Sequence, residues 1–158
     1  MSSPGLPPSA AEQHLAALGA RADLDGKRVL DIGCGGGDMM RLLTARGADA
    51  WGLEVSQAPL DRAVAAGIDP DRLVLGDGRS LPFEDAGFDL AMFVYSFHHV
   101  PDGVRKDMLA EVARILKPNG RLIAFEPRPY GELTETILPV EDETDVRTAA
   151  QALLSDPP

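Results

Sequence analysis

The chain has 158 residues, a length that suits one domain, because two independent cores need more chain than this. Hydrophobic residues make up 44% and charged residues 25% of it, the balance of a soluble globular protein that buries a core, which excludes a disordered or collagen-like chain. A formal net charge of −10 argues against a generic DNA- or RNA-binding surface, so nucleic acid is not an expected partner. No apolar run approaches the roughly 18 residues of a membrane span, and MSSPGLPPSA lacks the charged and apolar regions of a secretion signal; a cytoplasmic location is expected. The single cysteine, Cys34, can form no internal disulfide, and no Cys/His cluster has zinc spacing, so no metal is expected.

Residues 1–9 are rich in Ser, Gly and Pro and read as a flexible tail before one domain over 10–158. Ala10 to Leu18 suits a short helix. Arg28 to Ile32 is a β-rich run, followed by the glycine cluster Gly33 to Gly37 and a helical stretch over Asp38 to Ala45 in which one of Met39 and Met40 should face the core. Ala48 to Val55 reads as a second strand carrying Trp51 as a packing residue, and Ser56 is placed to cap the helix that Gly67 stops. Arg72 to Leu75 is a third short strand. After the loop Ser80 to Gly87, the nearly continuous apolar run Phe88 to Tyr95 suits a strand covered on both faces. Pro101 to Leu116 is helical, Lys117 to Gly120 is a turn, and Arg121 to Phe125 is a fifth strand. Such alternation implies a doubly wound α/β sandwich on a parallel sheet. Beyond it, Tyr130 to Val140 reads as a loop or edge strand and Asp142 to Leu154 as a helix, with Glu141 to Glu143 at its start.

In open α/β sheets, ligands bind outside the carboxyl ends of the strands, and the informative residues collect there. Gly33, Gly35 and Gly37 alternate, which permits a tight turn and close approach of backbone to a ligand. A dinucleotide fingerprint wants Gly or Ala at the sixth position from Gly33, and this chain has Asp38, a carboxylate where a pyrophosphate would lie; that weighs against a nicotinamide-dependent oxidoreductase. Asp31 instead suits a ligand carrying positive charge, such as an amino group. Glu54 ends the second strand, where a carboxylate accepts hydrogen bonds from a ribose diol. Asp77 ends the third and suits an exocyclic amine, with Gly78 opening room for a flat ring. Each acid taken singly could be a mere cap or turn former. Together they suit a nucleoside carrying an amino acid.

The ordered motifs Val29-Leu-Asp-Ile-Gly-Cys-Gly-Gly-Gly37, Glu54, Gly76-Asp77, Leu81-Pro-Phe-Glu-Asp-Ala-Gly-Phe-Asp89, Phe97-His-His-Val100 and Leu116-Lys-Pro-Asn-Gly-Arg-Leu122 resemble those of class I S-adenosylmethionine-dependent methyltransferases. The resemblance is nearest to the small-molecule branch that includes the ubiquinone and menaquinone biosynthesis enzymes. It implies a Rossmann-like sheet of order 3-2-1-4-5 in a three-layer sandwich, with S-adenosyl-L-methionine as cofactor, S-adenosyl-L-homocysteine as product and a small-molecule methyl acceptor. It also implies that Asp31, Gly33 and Gly35 surround the methionine part, that Glu54 holds the ribose, that Val55 flanks the adenine and that Asp77 and Gly78 read its amino edge. Cys34 lies in the same loop with its backbone near the ligand, and its thiol reads as a small filler. Ser96 is a cofactor contact or loop cap. His98 or His99 is either a general base for an acceptor that must lose a proton or a shaper of the loop.

The resembled fold ends in an antiparallel strand pair, for which the residues after Phe125 leave little room, so the chain is expected to be either a reduced version of the fold, with those strands shortened or absent, or a portion of a longer protein. The exposed edge of the fifth strand then needs cover from the chain's own tail, a homodimer or a partner chain. A catalytically silent cofactor-binding subunit completed by such a partner is the alternative to an active enzyme.

Overall fold

In the computed structural model of the protein, residues 10–19 and 23–126 are described. The expected tail, the elements after the fifth strand, and the shortened or absent last strands lie outside the described residues. The β-rich runs become β1 (Arg28–Ile32), β2 (Asp49–Glu54), β3 (Leu73–Leu75), β4 (Phe88–Val94) and β5 (Leu116–Phe125). All pair in parallel, in the order β3-β2-β1-β4-β5. The expected order is therefore the observed one.

The period-2 alternation of side chains sends neighbouring residues to opposite faces. Val29, Leu90 and Met92 pack on one face with Leu15 of α1 (Ala10–Gly19), Met40 and Leu43 of α2 (Asp38–Thr44) and Leu60 of α3 (Gln57–Ala65). Leu30, Ala91 and Phe93 pack on the other with Met108, Leu109, Val112 and Ile115 of α4 (Asp102–Ile115). Because both faces are covered, β4 is apolar almost throughout. This is a three-layer α/β sandwich.

Several local expectations shift. Both Met39 and Met40 are buried, not one of them, since α2 lies between β2 and α1. Ser56 sits at the N-cap of α3 in an extended conformation but makes no side-chain cap bond; its own N–H is taken by Glu54. The stretch Lys117 to Gly120 is an excursion within β5, which pairs Leu116 with Phe88 and resumes at Arg121 opposite Leu90. Trp51 does pack: its ring meets Phe83 edge-on at 5.4 Å and lies beneath the guanidinium groups of Arg28 and Arg72.

The loop between β3 and β4 is latched to α4. Arg114 donates to the carbonyls of Leu81 and Phe83 and to the carboxylates of Asp85 and Glu111, while Glu111 accepts the Leu81 N–H. The Arg114 hydrogen bond is the largest cause that pulls the Glu111 carboxyl down to about 2, with the Leu81 N–H second. This latch fixes one wall of the cleft above the sheet.

Candidate functional site

The loops after β1 and β4 meet above the sheet. Gly33 has φ +78°, and a Cβ there would lie 2.4 Å from the Cβ of Ser96, so only a glycine lets the two loops touch. Ser96 ties them together, its hydroxyl donating to the Ile32 carbonyl at 2.5 Å. From the other side, the loop hangs on β2. The N–H groups of Gly33 and Cys34 donate to the Leu53 carbonyl at 2.8 and 3.0 Å, and that of Gly35 donates to Glu54 Oε2 at 3.1 Å. Glu54 Oε1 accepts from Val55 and Ser56. Three backbone donors thus hold a carboxylate with about four lone-pair sites, which leaves it capacity for a ligand hydroxyl. Four donors of the glycine loop are already used, since the Gly37 N–H donates to the Cys34 carbonyl, and Asp38, paired with Arg41, stands at the start of α2; a pyrophosphate would find little to bind there.

Two cavities open from this junction. One, of about 520 Å³, lies over the ends of β2 and β3 and is lined by Glu54, Val55, Asp77, Ser96, His99 and Met108. The other, of about 670 Å³, lies between the glycine loop and helices α1 and α2 and is lined by Asp31, Cys34, Met39 and His14 among others. Gly33, Val94 and Tyr95 belong to both. Both volumes are in the range of small-molecule sites.

Asp31 is 2% exposed, and no donor reaches its carboxylate among the described residues. Burial, and then the charge of Glu54, push its carboxyl up to about 7. A buried acid without a partner on a cavity wall fits a cationic group supplied by a ligand. Asp77, by contrast, is half-buried and held by Arg79, whose N–H and side chain both bond to it and keep its carboxyl below the usual range. The room expected beside Gly78 is not open: a Cβ on that residue would come within 2.5 Å of the Met108 methyl, so α4 fills the space with a polarizable apolar wall. Burial and the charges of Asp31 and Glu54 push the Cys34 thiol up to about 12, which leaves it unreactive at neutral pH. Its backbone donor is spent on Leu53, and what it presents to the second cavity is a small side chain.

The two histidines after β4 part company. His99 lines the first cavity. His98 is buried, its Nδ1 is 2.5 Å from Glu126 Oε2, and it lies outside both linings. Glu126, just beyond β5, also accepts the N–H groups of Ser96 and Phe97, and Arg105 donates to the His98 carbonyl. Sequence reasoning did not single out Glu126, Met108, Tyr95 or His14. The first two come from the far end of β5 and the middle of α4, and only chain folding brings them to the site. Tyr95 carried a signal in its place at the end of β4; His14 carried none.

The residues present fit a ligand with a nucleoside at one end and a cationic amino acid at the other, and the resemblances point the same way. The methyltransferase domain family matches residues 30–124. The chain is 40% identical to 27-O-demethylrifamycin SV methyltransferase of Amycolatopsis mediterranei, over 67% of this chain and 42% of that protein. It is 38% identical to the fatty-acid O-methyltransferase of Mycolicibacterium smegmatis, over 73% of this chain and 43% of that one. Among solved structures, an S-adenosylmethionine-dependent methyltransferase from Mesorhizobium loti superposes with a TM-score of 0.65 at 31% identity, covering 76% of this chain and 55% of that chain. The chain thus spans less than half the length of these curated relatives.

Proposed function

The chain belongs to the class I S-adenosylmethionine-dependent methyltransferases, and on that premise we propose that it transfers a methyl group to an oxygen, nitrogen or carbon nucleophile of a small molecule. The observation that carries the proposal is the pair of cavities joined at Gly33, Val94 and Tyr95, with a buried, unpartnered Asp31 in one and Glu54 and Asp77 in the other. When bound, the cofactor supplies an electrophilic methyl on a positively charged sulfur and leaves as S-adenosyl-L-homocysteine.

Each residue then has a definite task. Asp31 holds the ligand's ammonium group, with Gly33 and Gly35 giving the backbone approach beside it. Glu54 accepts from the ribose hydroxyls with its remaining lone pairs, a charge-assisted bond of the stronger kind. Val55 and Met108 flank the base, and Asp77 accepts from its exocyclic amine. Ser96 works by joining the β1 and β4 loops, and Cys34 by filling space. Glu126 fixes His98, and His99 is a wall of the nucleoside cavity, so both histidines shape the loop. Alignment of nucleophile and methyl within a closed cleft accounts for much of the rate advantage such a site can give.

The proposal extends to location and assembly. We place the protein in the cytoplasm, a reading that its single, buried cysteine favours; no described helix is long and apolar enough to cross a membrane. β5 ends the sheet among the described residues, and its edge is covered by the rest of the chain, by a second copy or by a partner chain; sedimentation of the purified protein distinguishes these.

Titration calorimetry with S-adenosylmethionine, S-adenosylhomocysteine and NAD tests the function. Binding of the first two without NAD is expected, and NAD binding alone would overturn the reading. Release of S-adenosylhomocysteine during an acceptor screen distinguishes an enzyme from a silent binding subunit.

A further inference from the structure

The second cavity holds a pair of side chains that cofactor binding does not explain. Tyr95 stands on the wall common to both cavities, with its backbone at φ +54°. That is a strained conformation for a bulky residue, of the kind that persists where the surroundings impose it. Its N–H is tied to the Phe125 carbonyl at 2.8 Å. Its hydroxyl lies 3.0 Å from His14 Nε2, and the His14 ring packs against Phe125 at 4.6 Å, tilted by 47°. α1 therefore brings an imidazole to the wall of the second cavity and hydrogen-bonds it to the phenol at the junction. Among the described residues, no hydrogen-bond partner reaches the buried His14 Nδ1.

We propose that His14 and Tyr95 form the proton-accepting pair of the acceptor site, and that the acceptor is therefore a hydroxyl compound. This rests on the methyl-transfer reading above. A neutral amine attacks through a free lone pair and can shed its proton afterwards, whereas a hydroxyl is a poor nucleophile unless its proton leaves as it attacks. In the tautomer with the proton on Nδ1, His14 Nε2 accepts from the Tyr95 hydroxyl. The acceptor oxygen forms the bond to the methyl carbon, and the carbon–sulfur bond breaks with its electron pair left on sulfur. The acceptor's proton passes to Tyr95 Oη while the Tyr95 proton passes to His14 Nε2, leaving an imidazolium. The ionisable groups facing it across the cavity are Glu12 on the same helix, Asp31 on β1, and Asp38 and Arg41 on α2.

The test uses His14→Gln and Tyr95→Phe in the full chain, with 4-nitrophenol, 2-naphthol and an aliphatic alcohol as hydroxyl probes and benzylamine as the amine probe. Without any ligand, Tyr95→Phe should shift the ring resonances of His14 in a 1H–13C NMR spectrum and leave those of His98 in place. Both variants should bind S-adenosylhomocysteine within about twofold of the wild type and transfer methyl to hydroxyl probes more slowly by a factor on the order of 100. Free imidazole should partly rescue His14→Gln. Unmoved His14 resonances, full-rate transfer by either variant, a wild type that binds the donor and methylates no hydroxyl probe, or one that methylates only benzylamine each overturns the pair. A wild type that fails to bind the donor overturns the functional reading instead.

Discussion

The two ends of the sheet carry similar residues and use them in opposite ways. At the amino ends of the strands, Asp89 and Asp49 each have a cation. Asp89 accepts from Lys117 at 2.8 Å and from the Arg28 N–H at 3.0 Å, with Lys27 nearby. Asp49 pairs with Arg72 and takes the Trp51 indole N–H, and the Arg28 guanidinium lies over the rings of Trp51 and Phe88. At the carboxyl ends, and among the described residues, Asp31 has no cation and Glu54 is held by backbone N–H groups alone. Partial burial works against ionisation of Asp89, yet Lys117 and the Arg28 N–H outweigh it and the carboxyl is pulled down; Asp31, more deeply buried and without donors, is pushed up to about 7. The matched charges of Asp89 and Asp49 tie the amino ends of the strands together. A buried charge left unmatched is where a ligand completes the structure.

The contrast can be broken most severely at the junction of the loops. Gly33→Val should destabilise the protein by roughly 2 to 4 kcal/mol, because it adds a clash with Ser96 to a left-handed backbone. Gly36→Ala, where a Cβ would meet nothing within 4 Å, should change stability by less than about 0.5 kcal/mol; urea unfolding of both measures the difference. Glu54→Ala should weaken S-adenosylmethionine binding by roughly 1 to 3 kcal/mol in calorimetry, and unchanged affinity would remove Glu54 from the site.

Asp31→Asn sharpens the comparison through pH. A folded-state value of about 7 against an ordinary 3.8 means that the ligand-free folded protein binds the extra proton between those limits. Its stability therefore falls as pH rises through that window. Asp31→Asn should flatten this fall in thermal melts recorded from pH 4 to 8. It should also weaken donor binding by about tenfold at pH 8, since a cationic ligand needs the ionised acid, and abolish the proton release on binding near pH 6.5 that buffers of different ionisation heat reveal. The smallest effect belongs to the other end of the sheet. Asp89→Asn should cost about 1 kcal/mol or less at pH 7 and leave donor affinity unchanged. The lowered Asp89 carboxyl contributes stability above its ordinary value, and that contribution disappears as pH falls through the folded one, so wild type and variant should converge in strong acid.

Much of this was legible beforehand, and the reason differs from residue to residue. Strands β1 and β4 announce themselves by short apolar runs, and the glycine cluster by the backbone freedom it alone provides, so a parallel sheet and the place of the cleft follow from local pattern and right-handed crossovers, while the strand order follows from the family resemblance. Glu54 and Asp31 were visible because an acid at a strand's carboxyl end has a fixed relation to that cleft. The space beside Gly78 was misjudged because Met108, 30 positions further along the chain, closes it from α4. The two histidines looked equivalent in sequence, and only the arrival of Glu126 from β5 separates them. His14 precedes every strand and belongs to no motif, so nothing in its neighbourhood marks it.

The sequence by itself determined the parallel sheet, its two-sided core, the glycine junction and the acids around it, because these depend on periodicity, turn chemistry and short spacing. Tertiary structure decided which charges are satisfied within the chain, what fills the space beside the cavity over β2 and β3, and which side chains meet at Tyr95. Those outcomes depend on contacts between residues distant in sequence, and a hydrogen bond or an unmet charge exists only once the chain has brought its partners together or failed to.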